Sequence, residues 1–415
     1  MINKIRILYI VFVFAIPFAE ISAADDDFDQ FKQQQAQGVG ALQNDFEAYK
    51  KQLKEGFEAY KKAYKAALEE DRNAVKSVWG DYRPGNKKNW VQYSGTEKNA
   101  KGKVSEGNSS IRKAVNFETG DVELEIIVDE KTSNKQAEEA LKQSIPGLLK
   151  TTRKQAFNND NVSKAVEKSL AGKAQVKSAK VSDKPVLSSL IPEKSIKDPK
   201  KLAKITQQYQ TAAKTDIRSS KKSGKKIVRV KFKIPVNAPE KSKQFIKTAK
   251  RIADKEKIPL TLVMAVMETE SAFNPMAKSH VPAYGLMQIV PRSAGQDATA
   301  YLFGKAKILS PSYLYNSDNN IELGGAYLHI LYFRYLKKIE DPVSRLYCAI
   351  AAYNTGAGNV AKAFTGKRNI NKAAKKINQL SPRQVYQKLR TRLPYKETQH
   401  YVKKVATKLE KYKQI

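Results

Sequence analysis

The chain reads as an α+β protein, with an all-α C-terminal domain preceded by a smaller α/β N-terminal domain that carries one long helix. Three observations predict this. From Ser242 onward apolar residues recur almost throughout at helical spacing, with short Pro- or Gly-containing loops between them, enough for seven or eight helices. Upstream, the runs 114–128 and 226–235 alternate as strands do. Further upstream, the hexapeptide Phe46-Glu47-Ala48-Tyr49-Lys50-Lys51 recurs identically at Phe57–Lys62, eleven positions later, which is three helical turns.

The 415 residues exceed one typical domain and suit two folded units, divided at residues 24–240 and 241–415. The composition, 41% hydrophobic and 28% charged, is that of a globular protein, but the net charge of +35 calls for anionic partners. After residue 240 there are 31 Lys and Arg against 11 Asp and Glu, a net +20, which leaves +15 for the first 240 residues. An excess spread so evenly argues for attraction to an acidic polymer and against a discrete nucleic-acid-binding arm.

Residues 1–23 have the order of a signal peptide: Lys4 and Arg6, a short apolar run from Ile7 to Ala19, and the small-residue end Ile21-Ser22-Ala23. The expectation is an exported, periplasmic chain starting near Ala24, with the outer membrane or cell wall as its surroundings. Export removes it from nucleic acid, and no groove-reading motif is visible. The single cysteine, Cys348, rules out intramolecular disulfides and lies in an apolar run where a buried, inert thiol is expected. His280, His329 and His400 lack metal-ligand spacing, so neither metal nor other cofactor is expected.

Residues 28–76 form the long helix. Its stripe Leu42, Phe46, Tyr49, Leu53, Phe57, Tyr60, Tyr64, Leu68 advances in steps of three and four, and this aromatic face must pack on something. The chain's own N-terminal domain is one occupant; a membrane surface or a cell-wall protein is the other. Trp79-Gly80 and Pro84-Gly85 end the helix. Strands follow at Trp90–Tyr93 and within 114–128, where Glu118-Thr119-Gly120-Asp121 makes a hairpin turn. Gln136–Leu149 is helical around one Pro, and Lys226–Pro235 is a strand returning to the same sheet. Residues 151–225, rich in Lys, Ser, Gln and Ala, are expected to be an insertion, partly helical and partly flexible.

Chemistry concentrates at Met267–Gln288. Glu270 ends an apolar helical pattern and shares a side with Val263 and Val266, while Glu268 is about 200° away and faces solvent or another surface. Desolvation on an apolar face disfavours a carboxylate's charged form and leaves a proton to donate, which a general acid for a glycosidic oxygen needs. Two-carboxylate glycosidases place the acids about 5 Å apart, or farther to seat a water. Here the next acid is Asp297, beyond the Gly-led turn, so a one-acid site must find its second partner in the substrate.

Four motifs in order carry a resemblance: Glu270-Ser271-x-Phe273-Asn274-Pro275, then Gly285-Leu286-Met287-Gln288, then Ala352-Tyr353-Asn354 with Gly356-x-Gly358, then Glu397-Thr398-x-x-Tyr401-Val402. Across residues 245–410 the series resembles the soluble lytic transglycosylases. The upstream strands and Ile234-Pro235-Val236-Asn237 add a likeness to the membrane-bound, type C branch of that family. The resemblance implies a goose-type lysozyme-like fold and cleavage of the β-1,4 bond between N-acetylmuramic acid and N-acetylglucosamine in peptidoglycan glycan strands, leaving a 1,6-anhydro end. It implies that Glu270 is the only acid and base, that Ser271 orients it or a sugar N-acetyl group, and that Gln288 with the Gly285–Leu286 backbone lines the cleft. Tyr353 and Asn354 would hold Glu270 and the muramoyl sugar, and Glu397 and Tyr401 would close the far side. The type C branch is lipid-anchored through a cysteine after the leader; this sequence has none there. Two other readings stay open: a muramidase that uses water, with Asp297 or Glu397 as base, and a peptidoglycan-binding scaffold without turnover.

Overall fold

The computed structural model describes residues 23–83, 88–94, 110–279 and 281–414; the expected leader falls outside them except for Ala23. The chain divides into two compact units, residues 1–52 and 53–415. In the first, the described residues are helical, and Phe46 is exposed and stacks on Tyr49. Helix α1 as a whole covers Ala23–Trp79.

In the second unit α1 turns its stripe inward. Phe57, Tyr60 and Tyr64 are buried, each removal from water contributing about 1.5–3 kcal/mol. Past them, Val75 and Trp79 pack on Ile127 and Ile227, on one face of a five-stranded antiparallel sheet. Its strands are β1 (Asn89–Ser94), β2 (Ser110–Asn116), β3 (Asp121–Asp129), β5 (Lys214–Ser219) and β6 (Lys225–Lys233), ordered β1-β2-β3-β6-β5. The expected hairpin is β2–β3, and the returning strand is β6, paired between β3 and β5.

The sheet's period of two divides its chemistry. Val122, Leu124, Ile126, Val228, Val230 and Phe232 enter the main core, while the alternate positions carry Glu123, Glu125 and Arg229. Glu125 has no exposed surface. Its carboxylate accepts from Arg112 at 2.6 Å and from Arg218, with Arg83 at 3.5 Å, so the buried charge is paired.

Residues 151–225 are folded where a partly flexible insertion was expected. After α2 (Asn134–Gln143) and α3 (Ile145–Lys150) come α4 (Arg153–Asn158), α5 (Asn161–Leu170), the short strand β4 (Val176–Lys177), α6 (Glu193–Lys197) and α7 (Pro199–Ala212). The lysines lie outward, while Val162, Val166 and Leu170, one turn apart on α5, are buried.

The C-terminal part holds ten α-helices among the described residues: α8 (Ala238–Glu256), α9 (Leu260–Ser271), α10 (Ala294–Phe303), α11 (Pro311–Tyr315), α12 (Ser317–His329), α13 (Pro342–Thr355), α14 (Ala357–Thr365), α15 (Ile370–Ile377), α16 (Pro382–Arg392) and α17 (Lys396–Lys411). Strand β7 (Ile308–Leu309) precedes α11, and a π-helical turn, Ile330–Tyr335, continues α12. The boundary expected at residue 240 does not separate two cores. β4 pairs in parallel with β7, Glu167 on α5 accepts from the backbone and hydroxyl of Ser312 at 3.0 and 2.7 Å, and buried Arg153 donates to Ser317 at 2.9 Å. One hydrophobic cluster runs from Phe57 to Tyr412. No helix among the described residues is long and apolar enough to cross a membrane.

Candidate active site

Helix α9 is buried on all sides: every residue from Leu262 to Met267 is at most 1% exposed. The one-sided apolar face expected for it is therefore a helix threaded through the core. Pro259 precedes its first turn, where a missing N–H costs nothing. At its other end Ala272 and Phe273 both take left-handed backbone conformations, φ 51° and 64°, although neither is glycine. Such backbone costs about 1–2 kcal/mol per residue. Stacking of Phe273 on Phe245 at 6.0 Å and the hydrogen bond from the Ala272 N–H to the Glu268 carbonyl at 3.0 Å hold it in place. This abrupt stop leaves Glu270 on the last turn, 5% exposed.

Two tyrosines face Glu270. Tyr401, on α17, is buried with its hydroxyl beside the Glu270 carboxylate. Burial first, then the charge of Glu270, raises both Tyr401 and Tyr353 well above the usual phenol range, so each stays a hydrogen donor. Tyr353, on α13, is partly buried and donates to the Met287 carbonyl at 2.8 Å. It thereby ties the glycine-led turn to the helix pair around the acid.

That turn, Gly285–Gln288, is clasped between Tyr284 and Ile289, which exchange backbone hydrogen bonds of 3.1 and 3.0 Å. Gly285 has φ +76°, and a Cβ there would sit 2.4 Å from Asn320 Nδ2 and 2.5 Å from the Leu314 carbonyl. No side chain fits. The Gln288 amide donates to the Ala277 and Gly285 carbonyls at 3.2 and 3.0 Å, with its residue at φ 49°. The Leu286 side chain is fully buried, so only its backbone is offered at the turn.

The other expected residues are placed less directly. Ser271 is fully buried, and its hydroxyl donates to the Met267 carbonyl at 3.1 Å rather than orienting Glu270 or a sugar; at the end of a buried helix the backbone acceptor is the nearest one. Asn354 is partly exposed and its carbonyl oxygen accepts from Thr398 at 2.7 Å, which links α13 to the first turn of α17. Glu397 is exposed in that same first turn. Glu268 is turned to another surface: Lys411, Lys408 and Tyr412 approach it at 2.8, 3.0 and 2.7 Å. Against burial, which opposes ionisation, these three donors bring its carboxyl down to about 2. Asp297 accepts from Tyr335 at 3.0 Å, and burial pushes it upward.

Two residues that sequence reasoning missed build the turn. Asn320, fully buried on α12, accepts from the Met287 N–H at 2.7 Å and donates to the Tyr284 and Leu314 carbonyls at 2.9 Å each. Its only sequence signal is the amide-rich start of α12, Asn316-Ser317-Asp318-Asn319-Asn320, which looks like capping. Tyr60, from the repeat in α1, donates to the Tyr284 hydroxyl at 2.8 Å. The stripe betrayed its burial but not its partner.

Residues 247–377 match the family model described as the transglycosylase SLT domain. This stretch of the chain is similar to an SLT domain. Glu270, the Gly285–Gln288 turn, Tyr353 and Asn354 all lie inside the match, whereas Glu397 and Tyr401 follow it. Relatives named membrane-bound lytic murein transglycosylase C share the region: that of Klebsiella pneumoniae subsp. pneumoniae is 40% identical over 180 residues, covering 43% of this chain and 49% of its own length. The Sodalis glossinidius protein is 39% identical over 180 residues, covering 43% and 50%. The chain thus spans about half the length of the curated relatives it matches. Among solved structures, the 70 kDa soluble lytic transglycosylase of Escherichia coli is 27% identical, covering 40% of this chain and 24% of that one, with a TM-score of 0.32. The same soluble enzyme bound to bulgecin A covers 43% and 25%, at 26% identity and a TM-score of 0.34. The helices around this match and the small sheet upstream accord with the α+β class and the all-α C-terminal part expected from the sequence.

Proposed function

We propose that this chain is a peptidoglycan lytic transglycosylase that cleaves the β-1,4 bond between N-acetylmuramic acid and N-acetylglucosamine and leaves 1,6-anhydro ends, with Glu270 as the only acid and base. The observation that supports this reading is a buried Glu270 facing the hydroxyls of Tyr401 and Tyr353, in a stretch whose helices and Gly285–Gln288 turn match the SLT domain model. Glu270 gives its proton to the leaving glycosidic oxygen. The muramoyl 2-acetamido group stabilises the oxocarbenium-like carbon, the Glu270 carboxylate then takes the proton of the C6 hydroxyl, and the C6 oxygen closes on C1. Water is not consumed. Tyr401, beside the carboxylate, is placed to donate to Glu270 in its ionised phase, and Tyr353 fixes the turn that meets the glycan.

A muramidase would need a second carboxylate to prepare water. Asp297 is engaged with Tyr335, and Glu397 stands exposed at the start of α17, which favours the anhydro route. The net charge of +35 suits a polymer whose peptides carry carboxylates, and the membrane-bound names of its relatives support a periplasmic, membrane-associated place. The test is mass spectrometry of products released from intact sacculi by the wild type and by Glu270→Gln. Anhydromuropeptides from the wild type alone are expected. Reducing-end products would establish a muramidase, activity of Glu270→Gln above a few per cent would remove Glu270 from its role, and binding without products would leave a scaffold.

A further inference from the structure

A second concavity of about 490 Å³ lies in the same unit, bounded by the C-terminal part of α1, strand β1, the α4–α5 connection and loop 276–279. That volume is within the range of about 300–1,000 Å³ typical of small-ligand sites. Trp90 contributes an apolar wall. Arg72 and Lys76, one turn apart and exposed on α1, stand on its rim. Asp71 is half-buried within it, and Lys278 is already committed to Asp160 at 2.6 Å.

This mixture selects its occupant. A plain anion attracted by Arg72 and Lys76 meets the carboxylate of Asp71, and a plain cation attracted by Asp71 meets the two cations. A molecule carrying both charges a few ångströms apart satisfies both. Gln92 adds a directional demand, because its side-chain carbonyl is buried in the wall and has no hydrogen-bond donor among the described residues. An amide N–H of a ligand would supply one. Carboxylate, ammonium and amide together describe a short peptide.

We propose that this pocket binds the peptide stem of the substrate, with a free carboxylate at Arg72 and Lys76, an ammonium at Asp71 and a peptide N–H at Gln92. The inference rests on the peptidoglycan reading, since the substrate of that reaction is the source of such peptides. The pocket also shares a wall with the active site. Loop 276–279 supplies Lys278, and the neighbouring Ala277 carbonyl accepts both the Gly285 N–H at 2.8 Å and the Gln288 amide. Filling the pocket therefore braces the loop on which the catalytic turn hangs.

The experiment is calorimetric titration of the full chain carrying Glu270→Gln with the synthetic tripeptide L-Ala-γ-D-Glu-meso-diaminopimelate. Saturable binding is expected, weakened about tenfold or more by Lys76→Glu or Asp71→Asn, each of which removes a charge-assisted contact. Acetylation of the peptide's free amines should weaken it in the same way for Asp71 but not add to the loss in Asp71→Asn. Lys76 is exposed, so its variant folds whatever the pocket does. No saturation at millimolar peptide, or saturation indifferent to both substitutions, would overturn the proposal. Sacculus digestion by the wild type is scored separately: tripeptide binding without anhydro products sinks the enzymatic reading and leaves the pocket standing, and products without binding do the reverse.

Discussion

Tyr401 and Glu268 show how two groups near one helix end come to opposite uses. Tyr401 sets its hydroxyl beside Glu270, and a hydrogen bond made from there to the charged carboxylate would contribute about 1.5–3 kcal/mol. Tyr401→Phe is expected to lower kcat about 10- to 150-fold with KM nearly unchanged. Loss in KM alone would make Tyr401 a glycan contact instead. Glu268, two residues before the acid, is an anchor for α17. Its carboxyl lies at about 2 against an ordinary 4.5, so the folded state binds its proton less readily than the unfolded chain does. Its stabilisation is complete above about 4.5 and is lost as pH falls toward about 2. Glu268→Gln should lower the thermal midpoint at neutral pH, with that deficit vanishing in this acid window, while activity per folded molecule is kept. A variant as inactive as Glu270→Gln would contradict the placement. Glu268 and Glu270 were legible as a pair on different sides of α9. Ser271 was not, since a motif position does not reveal whether a hydroxyl faces the cleft or the preceding turn of its own helix.

At the scale of elements, the Gly285–Gln288 turn is rigid because three chain segments leave it no room. Gly285→Ala would combine left-handed backbone strain with overlap against Asn320 and the Leu314 carbonyl, at a cost of about 2–4 kcal/mol. Chemical denaturation should show that loss, and activity should fall further than stability because Gln288 shifts with the turn. Unchanged activity in the folded fraction would mean that the turn does not meet the glycan. Periodicity revealed β1, the β2–β3 hairpin, β6 and most helices here, but not β5, which lies in the segment read as an insertion, nor the two-residue strands β4 and β7. It did not reveal α11, whose five residues are too few to show a period, nor the order of residues 151–225, where lysines on the outer faces hide the spacing of Val162, Val166 and Leu170. Asn320 escaped for a related reason: its partners are backbone groups far away in sequence, and backbone leaves no residue signature.

The whole molecule contradicts the economy suggested by a family match that begins at residue 247. Residues 241–415 expressed alone should fail to give a cooperative fold, because Tyr284, Ile308, Leu309 and Tyr315 would lose the partners supplied by α1, β4 and α5. Circular dichroism with a broad, non-cooperative melt is the expected result; a sharp transition would show that the C-terminal helices hold their own core. The hydroxyl bond from Tyr60 to Tyr284 has a longer reach than any of these arguments, since it joins groups 224 positions apart. A contact of that span closes a loop of 224 positions, which carries a chain-entropy cost that local contacts do not. The final geometry of the Gly285–Gln288 turn therefore depends on a contact that local helix formation cannot supply.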